Sequence, residues 1–464
     1  MFNALFYKFF LLLPVALLVA CSETAIAPET ENPEIPLAWA RGGDDGGVEL
    51  GWLETFNDPQ LSTLVGEAVA DNYQLQQERA RLYQAHQTVV IARADRIPSV
   101  DGTFNASRRR FEVASATSIA SDSFSASLGA RWNVDVWGQL SKVQQAAQLV
   151  FAAQRARTES VERSLAATTA GAVFDVMQAR QLLEVATQRR DNAVESRDIV
   201  ASGYRQGLNN ALDLYLARNQ VERENANYAQ ADQTYQESAA TLELTLARYP
   251  DGHIDVDGEL PVIDEPIPAG LPSELLTRRS DIREAWLNLL AADAQLAAAH
   301  KARFPSLSLV ASRGLTTQAF SDLLNGDGAA RTLASNVTQP LFSAGRLRAQ
   351  ERRARGQVQL VEQQYLDLVF RAFAEVENAI SQSAALKERY ESFLEAEKNS
   401  RAALELALEQ YQRGLVSYTT VLESQRAAFD AQTQVVQLRN QRLQNRIQLY
   451  LALGGDFEAG TQGT

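Results

Sequence analysis

Cys21 is the only cysteine in a chain of 464 residues. It follows MFNALFYKFFLLLPVALLVA, which has one early Lys, an apolar run and small residues at its end. That arrangement reads as a secretory signal over residues 1–20, too short and wrongly flanked for a membrane span. Leu18-Val19-Ala20-Cys21 matches the bacterial lipobox, in which cleavage before the Cys is coupled to attachment of a lipid at its thiol. An ordinary signal peptide with an incidental Cys is the plainer alternative. The placement of the single thiol at the cleavage boundary favours lipidation. Ser22 next to it suits sorting to the outer membrane.

Other reactive chemistry is sparse. His86, His253 and His300 share no motif spacing, and no thiol remains beyond the anchor. Neither a His/Cys metal site nor a disulfide framework is expected. Carboxylates abound but fall among helix-surface charges, so no catalytic residue, metal or cofactor is assigned. With 57 acids against 44 bases the net charge is -13, the wrong sign for nucleic acid. No stretch after the signal approaches the roughly 20 apolar residues of a transmembrane helix, while a β-barrel stays allowed.

The elements repeat. Arg96-Ile97-Pro98-Ser99 recurs at Arg303-Phe304-Pro305-Ser306, and Gly138 and Leu140 at Gly345 and Leu347. Tyr204, Gly207 and Leu208 recur at Tyr411, Gly414 and Leu415. A constant shift of 207 residues relates all of them, which is an internal duplication. Each half reads as helix, two strands, long helix, short break, helix. No proline lies between Ser99 and Tyr249 or after Pro340. Gln139 to Ser202 therefore predicts a helix of about 96 Å at about 1.5 Å per residue, and its counterpart runs from Arg346 to about Tyr411. Leu415, Leu422, Phe429, Val436, Leu443 and Tyr450 recur every seven residues, as do Leu214, Val221, Tyr228, Tyr235 and Leu242. That period predicts helices packed along a seam; ordinary two-faced helices of a globular bundle are the alternative.

The strands carry the other period. Phe124, Ala126, Leu128, Ala130, Trp132, Val134 and Val136 alternate with Ser123, Ser125, Ser127, Gly129, Arg131, Asn133 and Asp135. One greasy and one polar face are expected. Residues 100–111 and 306–314 alternate less cleanly, and 331–342 is the weakest. Soluble sandwich strands remain open as a reading. Four strands cannot close a membrane barrel, whose smallest single-chain form has about eight. If they face lipid, several copies must share one barrel, since open edges do not survive in hydrocarbon.

The assembled motifs resemble the TolC-type outer-membrane factor family, in its lipoprotein branch serving resistance-nodulation-division efflux. Trp52-x-x-x-Phe56-x-Asp58-Pro59-x-Leu61-x-x-Leu64, then Ala68, Asn72 and Leu75, is similar to the family's N-terminal signature. Pro268-x-Gly270-Leu271-Pro272-Ser273-x-Leu275-Leu276-x-Arg278-Arg279-x-Asp281-Ile282 is similar to its mid-chain signature, with Ser280 where the family usually has Pro. Asp135-Val136-Trp137-Gly138 and Pro340-Leu341-Phe342-Ser343-Ala344-Gly345 resemble the paired strand-to-helix junctions.

The resemblance implies a mainly α fold with membrane β, and a homotrimer. Four strands per chain would share a 12-stranded β-barrel, continued by a periplasmic α-helical barrel. It implies the exit duct of a tripartite efflux pump: a passive gated channel fed by an inner-membrane pump and a periplasmic adaptor (membrane fusion protein). The duct itself would do no chemistry. The place would be the outer membrane of a Gram-negative bacterium, with the lipid anchor at Cys21. Tyr411, Glu423 and Arg426 match gate positions of the family, and Thr419 stands where an apolar constriction residue is common. Asp213 is a further gate candidate, although an acid after a turn also serves the helix dipole. Tyr204, Gly207, Tyr411 and Gly414 mark the tips where the adaptor would dock. A type I protein-secretion duct and a non-channel coiled-coil lipoprotein are the competing functions. The expected divisions are signal 1–20, tether 21–50, first repeat 51–250, Pro-rich connector 251–272, second repeat 273–457 and tail 458–464.

Overall fold

The structure is a computed structural model. It describes residues 36–40, 51–113, 117–208, 210–263, 267, 269–325 and 329–457. The signal, Cys21, most of the tether and the 458–464 tail lie outside the described residues.

After a 3-10 turn at Trp52–Phe56 the elements follow in this order. Helices α1 (Pro59–Asp71) and α2 (Tyr73–Ala94) lead into strands β1 (Ser99–Val113) and β2 (Thr117–Val134). Helices α3 (Gln139–Arg205) and α4 (Ala211–Thr245) close the first half. The second half has α5 (Pro272–Arg278), α6 (Ser280–Lys301), β3 (Ser306–Thr317), α7 (Phe320–Asn325) and β4 (Ala330–Thr338). It ends on α8 (Arg346–Gln412) and α9 (Tyr418–Ala452). The shift of 207 holds to the residue at both ends of three helix pairs: α2 with α6, α3 with α8, and α4 with α9. Both long helices have 67 residues.

Two compact units emerge. The first comprises Ala85–Phe151 and Trp286–Gln364 among the described residues. Its centre is a four-stranded sheet in the order β1-β2-β3-β4, antiparallel throughout. The register pairs Ala126 with Phe104 and Leu315, and Ser127 with Thr103 and Gly314. Because partners share a face, the greasy and serine-rich faces of β2 extend across the sheet. Gly314 is required there: a Cβ would come within 2.9 Å of the Ala126 carbonyl.

Two strand boundaries differ from the sequence reading. β2 begins at Thr117 rather than near Ser123, because β1 supplies partners all the way to Val113. β4 stops at Thr338 rather than running to 342, since Pro340 has no N–H to give a ladder. The short helix α7 between β3 and β4 was not foreseen. Its Phe320 packs edge-on against Phe104 and Phe124, at 6.3 and 5.9 Å between centroids.

The first strand-to-helix junction is a built corner. Asp135 accepts from the amides of Leu140 (2.9 Å) and Ser141 (2.7 Å) and from the Ser141 hydroxyl (2.6 Å), capping the orphan donors of α3. Gly138 takes φ 74°. The Trp137 indole donates to the Pro305 carbonyl at 2.7 Å, and Lys301 donates to the Trp137 carbonyl at 2.6 Å. At the second junction Ala344 and Gly345 both have positive φ.

Among the described residues, the second unit comprises those of Glu34–Gln84, Ala152–Ala285 and Tyr365–Thr464, and it holds the larger core. The N-terminal signature resolves into packing and capping. Trp52 stacks on Tyr450 with planes 15° apart, and Phe56 meets Phe174 at 5.1 Å. Leu61, Leu64 and Ala68 are buried beside them. Asp58 caps α1 through the amides of Gln60 and Leu61, with Pro59 at the first helical position, where a missing N–H costs nothing. Asn72 caps α2 through Gln74 and Leu75.

The mid-chain signature is an ion-pair fork. Buried Arg279 donates to both Asp281 oxygens (3.0 and 2.7 Å), to Glu375 (2.6 Å) and to the Ala452 carbonyl (3.2 Å). Burial opposes charge on Asp281, but the hydrogen bonds and charge of Arg279 outweigh it and hold the carboxyl below its usual range. Burial also works against Arg279, and its two carboxylates reverse that, raising the guanidinium.

Candidate functional site

The two helix breaks lie in the second unit and share one apolar cluster. Val200 of α3, Leu214 and Ala217 of α4, Ala407 of α8, and Tyr418 and Val421 of α9 are its buried members. A repeated backbone device turns the chain at each break. The Leu208 amide reaches back to the Gly203 carbonyl (2.8 Å) and Gly207 to Tyr204 (3.0 Å). Leu415 likewise reaches Gln410 (2.9 Å) and Gly414 reaches Tyr411 (2.9 Å). Gly207 and Gly414 sit at φ 78° and 71°, the left-handed C′ position that glycine occupies without strain.

The breaks differ at the start of the returning helix. Asn210 caps α4 by accepting from the Asp213 amide at 2.9 Å. At α9, Ser417 turns instead to the hydroxyls of Thr419 (2.5 Å) and Thr420 (3.3 Å). Both tips leave apolar side chains in the open: Leu208, Leu212 and Leu415 are 77%, 64% and 68% exposed.

The structure sorts the candidate gate residues into two groups. Tyr411, half-buried, packs on Tyr418, and Asp213 in the first turn of α4 is close enough to act electrostatically on the Tyr418 hydroxyl. Thr419, Glu423 and Arg426 form a separate exposed stripe along α9, at the spacing that shares one helix face. Among the described residues of the single chain, no ion pair joins Glu423 to Arg426. Tyr204 is exposed at the other tip.

Sequence reading missed Tyr418. It is 2% exposed, and its hydroxyl has no hydrogen-bond partner among the described residues. Burial foremost, with the nearby Tyr411 and Asp213, pushes its pKa up to about 12. Its position seven residues after Tyr411 was the available signal. Also missed was a buried polar contact about two turns further along α9, where Gln425 donates to Ser196 at 3.1 Å.

The seven-residue stripes are only partly inside. On α9, Tyr418, Val421, Gln425, Ala428, Val435 and Leu438 are buried. Leu422, Phe429 and Val436 are half-buried, and Leu415 is exposed. A single chain therefore leaves part of its seam uncovered.

His86 rests on Phe151, His253 beside Asp251 and His300 against Glu351. Among the described residues no group of three His, Cys, Asp or Glu could hold a metal ion. No described helix is long and apolar enough to cross a membrane.

Residues 64–248 and 271–455 both match the family described as "Outer membrane efflux protein". The pyoverdine export outer membrane protein OpmQ of Pseudomonas aeruginosa is 32% identical over 461 residues, covering 96% of each chain. The cation efflux system protein CusC of Escherichia coli K12 is 28% identical, over 96% of this chain and 99% of its own. Among solved structures, the open state of the Neisseria gonorrhoeae outer membrane channel MtrE superposes with a TM-score of 0.83. It is 25% identical over 95% of this chain and all of its own.

Proposed function

The chain belongs to the outer membrane efflux protein family, and from that membership we propose that three copies form the exit duct of a tripartite efflux pump. The observation that carries this reading is the sheet. Its four strands have β1 and β4 as free edges, one face greasy and the other rich in Ser, Thr and Asn. Such a sheet cannot remain open in hydrocarbon, where unpaired edge groups have no water to bond. Joining β4 of one copy to β1 of the next closes a 12-stranded wall, greasy outside and polar inside. The half-covered seam of α9 gives the helices a reason to assemble in the same trimer.

In this duct the long helices enclose the periplasmic passage, and the two breaks stand at its inner end. Tyr411 and Asp213 brace the second break through Tyr418. Thr419, Glu423 and Arg426 line the closure, and Glu423 meets Arg426 of a neighbouring copy across the three-fold axis. The exposed leucines at Leu208, Leu212 and Leu415, with Tyr204, are where the periplasmic adaptor docks. Flow is passive, and the inner-membrane pump supplies both the work and the choice of cargo. OpmQ and CusC are named for pyoverdine and for cations, and a shared duct serves small solutes of either kind. Cys21 carries the lipid that tethers each copy to the outer membrane.

Single-channel recording from purified protein in planar bilayers tests the reading. Discrete conductance steps are expected. A correctly folded trimer that gives none, with the closure residues intact or removed, would favour a non-channel lipoprotein.

A further inference from the structure

The greasy face of the sheet carries an uncompensated pair of cations. Arg313 of β3 is register partner to both Leu128 of β2 and Arg331 of β4. The face shared with Leu128 holds Ala311, Leu309 and Leu307 of β3 and Leu333 and Val337 of β4. Two arginines are thus register partners on neighbouring strands, where like charges directly opposite are destabilising. A cation on the lipid side of a barrel is costly at mid-depth and much less so toward the interface.

One other arginine of this face is compensated. Arg108, nearer the β1–β2 turn, pairs with its register partner Asp122 at 3.2 Å. Arg313 and Arg331 are exposed and have no acidic partner among the described residues. Their row also ends the open part of the greasy face. The next rows, with Phe104 and Phe124, are met by Phe320 of α7. From Leu307 to Arg313 the strand climbs about 20 Å away from the helix junctions. The long side chains can carry their charge about 6 Å further toward a polar boundary.

We propose that Arg313 and Arg331 form a binding site for the phosphate of an anionic glycolipid in the outer leaflet. Two adjacent guanidiniums suit one phosphate, since each offers paired N–H donors to its oxygens. The lipid's acyl chains would then lie down the greasy rows toward Leu307 and Val337. This rests on reading the sheet as part of a barrel wall.

The test is native mass spectrometry of the full-length trimer released from vesicles of phosphatidylcholine with or without bis-phosphorylated lipid A. Wild type is expected to retain lipid A and to hold its dephosphorylated form about ten-fold less well, the size of one lost charge-assisted contact. Arg313→Ser with Arg331→Ser should lose the lipid to the same degree. Equal retention of the phosphorylated and dephosphorylated lipids by wild type would overturn the proposal, and needs no variant to fold. Conductance recorded on the same preparation separates the two readings. Channels without phosphate-selective retention defeat only the lipid site, whereas absence of channels defeats the barrel on which it depends.

Discussion

Tyr411 and Tyr418 meet ring to ring at the second helix break, their centroids 5.6 Å apart and their planes inclined by 52°. One ring ends the long helix α8 and the other begins α9, so the contact staples the returning chain across Gly414. The Tyr418 hydroxyl lies inside this contact without a hydrogen-bond partner among the described residues. An unsatisfied buried hydroxyl costs stability on its own account.

Tyr418→Phe is therefore expected to keep the tip folded and to stabilise it by about 1 kcal/mol. It should also alter the alkaline limb of stability. With the folded pKa raised to about 12, the unfolded chain ionises first, near its ordinary value of about 10. Stability from the neutral phenol is complete below that value and declines as pH rises through about 12. Thermal melts between pH 9 and 12 should show wild type losing more than Tyr418→Phe, and parallel losses would refute the assignment.

Removing Glu423 and Arg426 together, as Glu423→Ala with Arg426→Ala, should raise single-channel conductance and sensitise cells to large antibiotics. Both side chains are exposed on one face of α9, so the monomer should fold unchanged. Unaltered conductance would mean that this stripe does not line the closure.

The Arg279 fork predicts an acid-sensitive joint. Asp281 is held below its usual range, so its contribution is present above the ordinary carboxylate value, about 3.9. It is lost as pH falls through the depressed one. Arg279→Met leaves two carboxylates without their cation and should cost about 3 kcal/mol, the low end for a broken buried pair, because Glu375 is half open to water. A denaturant midpoint within error of wild type would contradict this.

Ala247 offers a gain in stability. It occupies φ 59°, and its counterpart one repeat later, Gly454, takes φ 72°. The two close equivalent turns: Arg248 reaches the Glu243 carbonyl at 2.8 Å, and Gly455 reaches Tyr450 at 2.9 Å. A Cβ in the left-handed region costs about 1 kcal/mol. Ala247→Gly should recover about that much, less the entropy glycine adds to the unfolded chain. A lower melting temperature for the variant would show that Ala247 is unstrained.

Lipid attachment is checked directly: Cys21→Ala should abolish labelling by radioactive palmitate. Continued labelling would place the lipid elsewhere.

Much of this molecule is local, and what is local is legible in the chain. The shift of 207 residues, the glycine breaks, the alternation in β2 and the proline-free helices all rest on short-range rules. Steric freedom at Gly207 and Gly414, the two-residue pleat and helix propagation operate within a few positions. Three features needed tertiary structure because their causes are distant in sequence. Whether a seam position is buried depends on which helix arrives beside it, so Tyr418 and Gln425 went inside while Leu415 stayed out. Asp281 is two residues from Arg279, but its other partners, Glu375 of α8 and the Ala452 carbonyl at the end of α9, are far along the chain, and no spacing announces them. Alternation along β3 already groups Arg313 with Leu307 and Leu309, but that Arg331 stands opposite it is a matter of strand register, which only the folded sheet decides.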